Sequence, residues 1–395
     1  MSSEDLKKFL SVFGPAWLVM IADVDVASII EGIEAGVVSG AVMVLVMLIL
    51  IPPLFFIQDA AGRLGSVGNI GFGEAIRKKY GKKVSLALSL PMALSDFLEY
   101  LAEFAGMAIG LTLLGLPVWI GLAVFYVVHL TVVFTRKYRS AEMILLPLSF
   151  LLVITLFVEL FLFRPNFSFL LSSLLTFKLN LSFFYLLAAS IGAVIMPWML
   201  FFHSGADARK HIGIKNMKYE TLETLIGSVV SEALMAVVVI YGWVISFNDS
   251  DASLSGILYY LQNMDFALRL LMAVGFIASG LLALVVISMA SAWGVVEAAE
   301  LDQKHYVLIY LLESLPALFI AIFVRNYLQL ILGLMVLYSV LLIPLLYVLG
   351  KTASDCGFMK GFALKGRRLK VYWAMAAAVS IGGIVGFASF LMSLL

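Results

Sequence analysis

Cysteine is nearly absent from this 395-residue chain, which has only Cys356. A single thiol excludes an internal disulfide and any cysteine-based metal cluster. Histidine is scarce, with 4 in the chain, and none stands in an HExxH-like spacing. That removes the familiar signature of a membrane-embedded metal-dependent enzyme, so the chain is not expected to be an enzyme. Charge is sparse as well: 13% of residues are charged, and the net value is +1. The basic residues fall in short clusters between apolar runs, so no nucleic-acid partner is expected. The stretch GSVGNIGFG lacks the Lys-Ser/Thr ending that cradles phosphate and leaves no nucleotide-driven motor in view. The two long connections, 58–83 (polar and Gly-rich) and 164–182, hold too few apolar residues for a separate signalling domain.

What the chain has in excess is apolar surface. Hydrophobic residues make up 63% of it and mean hydropathy is +1.07, far beyond an average soluble domain. The composition therefore predicts an all-α polytopic membrane protein with the lipid bilayer as its solvent. Windows of about 20 apolar residues mark eleven spans, at 9–36, 40–57, 84–114, 117–135, 143–163, 183–203, 222–247, 268–293, 306–323, 326–349 and 371–394. The segment MSSEDLKKFL leads straight into the first of these, which is expected to serve as its own insertion signal.

Orientation follows from Lys and Arg. Lys7 and Lys8, then clusters at Arg63 to Lys83, Arg136 to Arg139, Arg209 to Lys218 and Lys351 to Lys370, all fall on one side. The opposite loops hold little beyond Arg164, Lys178, Arg269 and Arg325. A multi-pass protein of the cell membrane is expected, with its N-terminus cytoplasmic and Leu395 outside.

Two spans look broken. In GPAWLVMIADVDVASIIEGIEAG, Asp23 and Asp25 sit mid-run, and ionisable residues at that depth mark function. In IGAVIMPWMLFFHSGAD, Pro197 removes a backbone donor, so carbonyls near Ala193 should come free, which a membrane tolerates only where they are buried or line a cavity. An acid, free carbonyls and the Met196 thioether are thus placed to converge on a cation. The breaks begin two groups of five spans, predicting an inverted repeat of 9–163 and 183–349, with 371–394 added, in a single domain of 1–395.

Further acids lie along these helices. Glu31 and Glu34 share one helical face and either add negative charge to an outer vestibule or are solvated at the helix end. Asp96, Glu99 and Glu103 form one stripe, read either as a relay or as a structural network. Glu103 and His203 are candidates for a proton pathway, His203 because imidazole titrates near neutrality.

Four segments, FGPAWLVMIADVDVAS, QDAAGRLGSVGNIGFGEAIRKKYG, YLAEFAGMAIG and IGAVIMPWMLFFHSG, resemble in order and spacing those of the NRAMP family of divalent metal ion transporters. The resemblance implies a LeuT-like fold of five plus five helices, often eleven in all, that imports manganese or ferrous iron, usually with protons. The metal is then substrate, and no cofactor is implied. The family's Asp-Pro-Gly-Asn falls on Asp25-Val26-Ala27-Ser28, and its Ala-x-x-Met-Pro-His falls on Ala193 to Trp198.

The implied ligands are the Asp25 carboxylate, Ser28, the Ala193 carbonyl and the Met196 sulfur. Ser28 replaces asparagine, Trp198 replaces histidine, and of an acidic pair on the third span Tyr100 replaces one member while Glu103 keeps the other. At the tenth span the family glutamine falls on Leu337, with Gln329 nearby. A thioether favours transition metals, manganese first. The shorter reach of Ser28 leaves room for a partly hydrated magnesium ion, and the wider family includes magnesium transporters, so an importer of that ion without proton coupling stays open. A non-transporting metal sensor would call for an attached soluble domain. Nothing in the residues fixes an oligomeric state.

Overall fold

The computed structural model describes residues 3–134, 137–176, 179–247, 259–321 and 327–393. Arg136, Lys178, Arg325 and Leu395, which entered the orientation argument, lie outside these residues, as do the last residues of the spans at 117–135, 306–323 and 371–394 and the first of that at 326–349.

Apolar runs with no competing turn chemistry become helices, because in lipid a helix satisfies every backbone group within its own segment. In order they are α1 (Ser3–Val12), α2 (Pro15–Ala22), α3 (Val26–Ser39), α4 (Val42–Gly68), α5 (Phe72–Tyr80), α6 (Lys82–Leu113), α7 (Val118–Phe134), α8 (Tyr138–Phe163) and α9 (Phe167–Ser173). The second half continues with α10 (Leu181–Val194), α11 (Pro197–Lys210), α12 (Met217–Ile245), α13 (Phe266–Ala299), α14 (Tyr306–Ala321), α15 (Tyr327–Ala353), α16 (Cys356–Met359) and α17 (Gly366–Ser393). Among the described residues, nine stretches are long and apolar enough to cross a bilayer as single spans, counting α10 with α11. Of the eleven expected spans, two do not meet that test alone. α7 has 17 residues, and the first span is divided into α2 and α3, of 8 and 14 residues.

One expected connection is corrected. The segment 58–83 is helical over most of its length, as α4 continues to Gly68 and α5 follows at Phe72. Gln58, Asp59 and Arg63 are buried, and Arg63 Nε donates to Asp59 Oδ2 at 2.6 Å. The glycines that suggested a loop are close-approach sites. A Cβ on Gly65 would run into the Ser204 carbonyl of α11, and one on Gly62 into Glu220 of α12. In the connection 164–182, α9 is a short helix whose described side chains are mostly exposed.

Both expected breaks are present, and each has a local cause. Asp25 is the N-cap of α3, extended at φ −83° and ψ 177°, and its Oδ1 accepts from Ser28 N at 2.7 Å. That satisfies one of the donors that every helix start leaves open. Pro197 occupies the first turn of α11 after Met196, its N-cap, so α10 ends at Val194. The start of α2 is capped from across the bundle, where Glu223 Oε1 accepts from Gly14 N at 2.7 Å and Trp17 N at 2.8 Å. On the Lys/Arg-rich end, Lys79 of α5 donates to Asp355 at 2.5 Å, and this bond holds the Asp355 carboxyl below its ordinary range.

Candidate metal centre at the helix breaks

The two breaks meet. Ser28 Oγ, in the first turn of α3, donates to the Ala193 carbonyl in the last turn of α10 at 3.1 Å. Ala193 is four residues before Pro197, so its carbonyl is the one the missing proline N–H leaves without a helical partner. The hydroxyl that replaces the family asparagine satisfies it. Asp25, Ser28, Ala193 and Met196 are all fully buried.

Around Asp25 the structure gathers more acid than the ligand set expected from the sequence. One ligand oxygen from each of Asp25, Glu99 and Glu103 lies within 4.8 Å of the others, all deep in the bundle. Asp25 Oδ1 and Glu103 Oε2 are occupied by the start of α3, the latter accepting from Val26 N at 3.3 Å. Asp25 Oδ2, Glu103 Oε1 and both oxygens of Glu99 have no hydrogen-bond partner. Three carboxylates with four free oxygens are costly in a buried site unless a proton or cation lies among them. The open N-terminus of α3 offsets part of that charge. Gly106 permits the approach, since a Cβ there would strike the Val26 side chain and push α6 with its acids away.

Met196 is at the break, but its sulfur is already engaged. Trp198 Nε1 donates to Met196 Sδ at 3.0 Å, and Met196 N donates to Met199 Sδ at 3.3 Å. The tryptophan that stands in the family histidine position thus holds the thioether by an N–H bond. Replacing an imidazole there removes an ionisable group and adds a donor aimed at the Met196 thioether.

Glu31 is not solvated at a helix end, as one reading of the sequence had it. It is fully buried, and Ser190 Oγ of α10 donates to its Oε1 at 2.7 Å, a second tie between the broken spans. Glu34, one turn further out, retains slight exposure at 9%. Asp23 ends α2 with neither oxygen partnered and is not among the clustered acids. His203 is not with Asp25. It lies on α11 against Gln58 and Glu220, at 3.1 and 3.3 Å.

Two further residues, Tyr338, which sequence reasoning missed, and Glu313, complete the acidic region. Tyr338 donates to Asp96 Oδ1 at 3.1 Å, whereas its neighbour Leu337, the expected tenth-span position, is 36% exposed. Tyr100, in place of a family acid, donates to Glu313 Oε2 at 3.0 Å, and Ser291 donates to Glu313 Oε1 at 3.1 Å. A carboxylate from α14 is therefore brought to the position where the third span lost its own. An unbroken acidic stripe in a spanning helix was the available signal for Glu99. Glu313 is visible in the sequence as an acid in the apolar run 306–323 with no motif behind it, whereas the signal for Tyr338 is purely tertiary.

A family model described as natural resistance-associated macrophage protein-like matches residues 16–389. The divalent metal cation transporter MntH of Bacillus subtilis is 28% identical over 253 residues, covering 61% of this chain and 59% of that protein. The natural resistance-associated macrophage protein 2 homolog of Dictyostelium discoideum is 28% identical over 236 residues, covering 57% of this chain and 37% of that one. The matched part thus spans less than two thirds of either relative. Among solved structures, the Eremococcus coleocola manganese transporter superposes with a TM-score of 0.82 at 18% identity, covering 98% of this chain and 88% of that one. MhsT in complex with L-phenylalanine gives a TM-score of 0.66 at 14% identity, covering 95% and 98%. These likenesses establish a LeuT-like, all-helical membrane fold.

Proposed function

Because this chain belongs to the natural resistance-associated macrophage protein-like family, we propose that it is a secondary transporter importing divalent metal ions by alternating access, with manganese or ferrous iron as first substrates. It is a transporter and not an enzyme, and the metal is its cargo. The observation that carries this reading is the Ser28–Ala193 hydrogen bond beside an Asp25 with a free oxygen, which joins the two breaks at one point. Discontinuous helices meeting near the midplane are where such folds hold their substrates.

In this mechanism Asp25 is the charged ligand, Ser28 binds directly or through a water, Ala193 uses its carbonyl and Met196 its sulfur. Glu99 and Glu103 enlarge the negative field that draws the cation in. Glu31 and Glu34 line the outer approach, and Glu103 and His203 serve a proton pathway. The Lys/Arg-rich ends face the cytoplasm. A divalent ion entering along the membrane potential gains about 2.3 kcal/mol per charge per 100 mV, so uptake needs no nucleotide. The two repeats are 9–163 and 183–349, and their relative motion exposes the site alternately.

A second reading, a magnesium importer without proton coupling, has its own observation. Met196 sulfur is held by the Trp198 N–H, and the three clustered acids offer oxygen alone, the donor that magnesium prefers. Parallel manganese and magnesium flux in proteoliposomes, with internal pH recorded, separates the two. If sulfur coordinates, Met196→Ala lowers the manganese-to-magnesium ratio by roughly tenfold, the value of about 1.4 kcal/mol, while magnesium still moves. Trp198→Phe, which releases the sulfur, raises the ratio. Selectivity unmoved by both variants, with no internal acidification, supports the oxygen-only site.

A further inference from the structure

Seven residues past Met196, and so about 10 Å along α11 toward the Lys/Arg-rich end, a second group of donors stands apart from the central site. His203 and Asp207 of α11 and Glu220 of α12 each present one ligand atom within 4.8 Å of the other two, and all three residues are fully buried. His203 Nε2 is 3.3 Å from Glu220 Oε1 and 3.9 Å from Asp207 Oδ2. Neither His203 Nε2 nor Asp207 Oδ1 has a hydrogen-bond partner.

The surroundings orient this group. His203 Nδ1 lies 3.1 Å from Gln58 Oε1, Ser66 Oγ donates to Asp207 Oδ2 at 2.8 Å, and Thr224 Oγ1 donates to Glu220 Oε1 at 3.0 Å. In the tautomer whose Nδ1–H is donated to Gln58 Oε1, Nε2 turns a lone pair toward two carboxylates. Electron-rich atoms facing one another in a dry interior call for a cation between them, and a hydrogen-bonded Nδ1–H is how protein imidazoles are held for metal binding. Space is kept free by α4, where a Cβ on Gly62 would run into both Glu220 Oε1 and His203 Nε2.

We propose that His203, Asp207 and Glu220 form a second divalent-cation site, between the central site and the Lys/Arg-rich face. One imidazole and two carboxylates suit manganese or another transition metal better than magnesium or calcium, which take all-oxygen shells. Its place as a stage on an import path rests on the transport reading above. Its ability to bind does not.

The test uses full-length purified protein and manganese alone, with bound ion counted by loss of the free-ion paramagnetic resonance signal. Wild type should bind two ions per chain. Asp25→Ala should bind one, and the double variant Asp207→Asn with Glu220→Gln should also bind one. Pulsed resonance should show nitrogen coupling to manganese in wild type and Asp25→Ala, and none in His203→Gln, which keeps both carboxylates. The central site as proposed has no nitrogen ligand, so this signal reports the second site alone. Two ions in the double variant, or no nitrogen coupling in wild type, would overturn the proposal and leave the cluster holding protons only. One ion in wild type, lost with Asp25, also overturns it while leaving the central site standing. One ion lost only with the double variant supports it and removes the central site instead.

Discussion

Asp25→Ala and Asp25→Asn should both reduce manganese and magnesium flux in proteoliposomes by at least about 100-fold, the loss of roughly 2.8 kcal/mol of ion binding. The pair of substitutions separates two roles of one side chain. Asp25 Oδ1 caps α3 through Ser28 N, while Oδ2 is free. Alanine removes both functions and should also cost about 1 kcal/mol of stability for the lost cap. Asparagine keeps an acceptor for Ser28 N and so keeps the helix start, but it carries no charge. Flux should therefore fall alike in both variants, while the thermal midpoint falls only in the alanine one. Asparagine transporting at the wild-type rate would show that the acid serves as a cap and not as a ligand.

The breaks were legible because each violates a rule of membrane helices. Carboxylates at 23 and 25 interrupt an apolar run, and Pro197 cannot donate to Ala193. Their convergence was inferred from the groups the two breaks leave free, and the resemblance named the ligands, but hydropathy gives no distance between spans, so the Ser28–Ala193 contact itself was not legible. The segment 58–83 misled for a physical reason. Glycine and polar residues mark turns in water, but within a bundle Gly65 marks a place where the backbone of another helix comes too close for a side chain, and Gly62 leaves room for the buried Glu220 and His203 side chains. The polar residues beside them were buried partners, as the Gln58–His203 and Arg63–Asp59 contacts show. Trp198 was read as a lost ionisable group. In the folded chain its indole N–H donates to the very thioether two residues before it.

Gly36→Leu should be among the most damaging single changes away from the candidate metal centre, because the half-helix that carries Asp25 and Ser28 is held by backbone against backbone. A Cβ at Gly36 would collide with the Val239 carbonyl and lie against Trp243 N and Gly242 Cα of α12, and one at Gly242 would collide with the Ile33 carbonyl. Flexible side chains can yield to an added carbon, but these obstacles are main chain. Small residues at such crossings let membrane helices approach closely enough for dispersion to hold them, since lipid supplies no hydrophobic drive between helices. Overpacking usually costs about 1–3 kcal/mol, and a rigid obstacle places this case at or above the upper end. The expected result is loss of the monodisperse peak in size-exclusion chromatography, or a thermal midpoint lower by about 4 °C or more where the protein still folds. Gly333→Ala is the matched control, because a Cβ there meets nothing within 4 Å. That variant should hold or slightly raise the midpoint, as alanine is the better helix former by about 1 kcal/mol. A Gly36→Leu protein as stable as wild type would mean that α3 is free of α12, leaving the placement of Asp25 to its contacts with α6 and α10 alone.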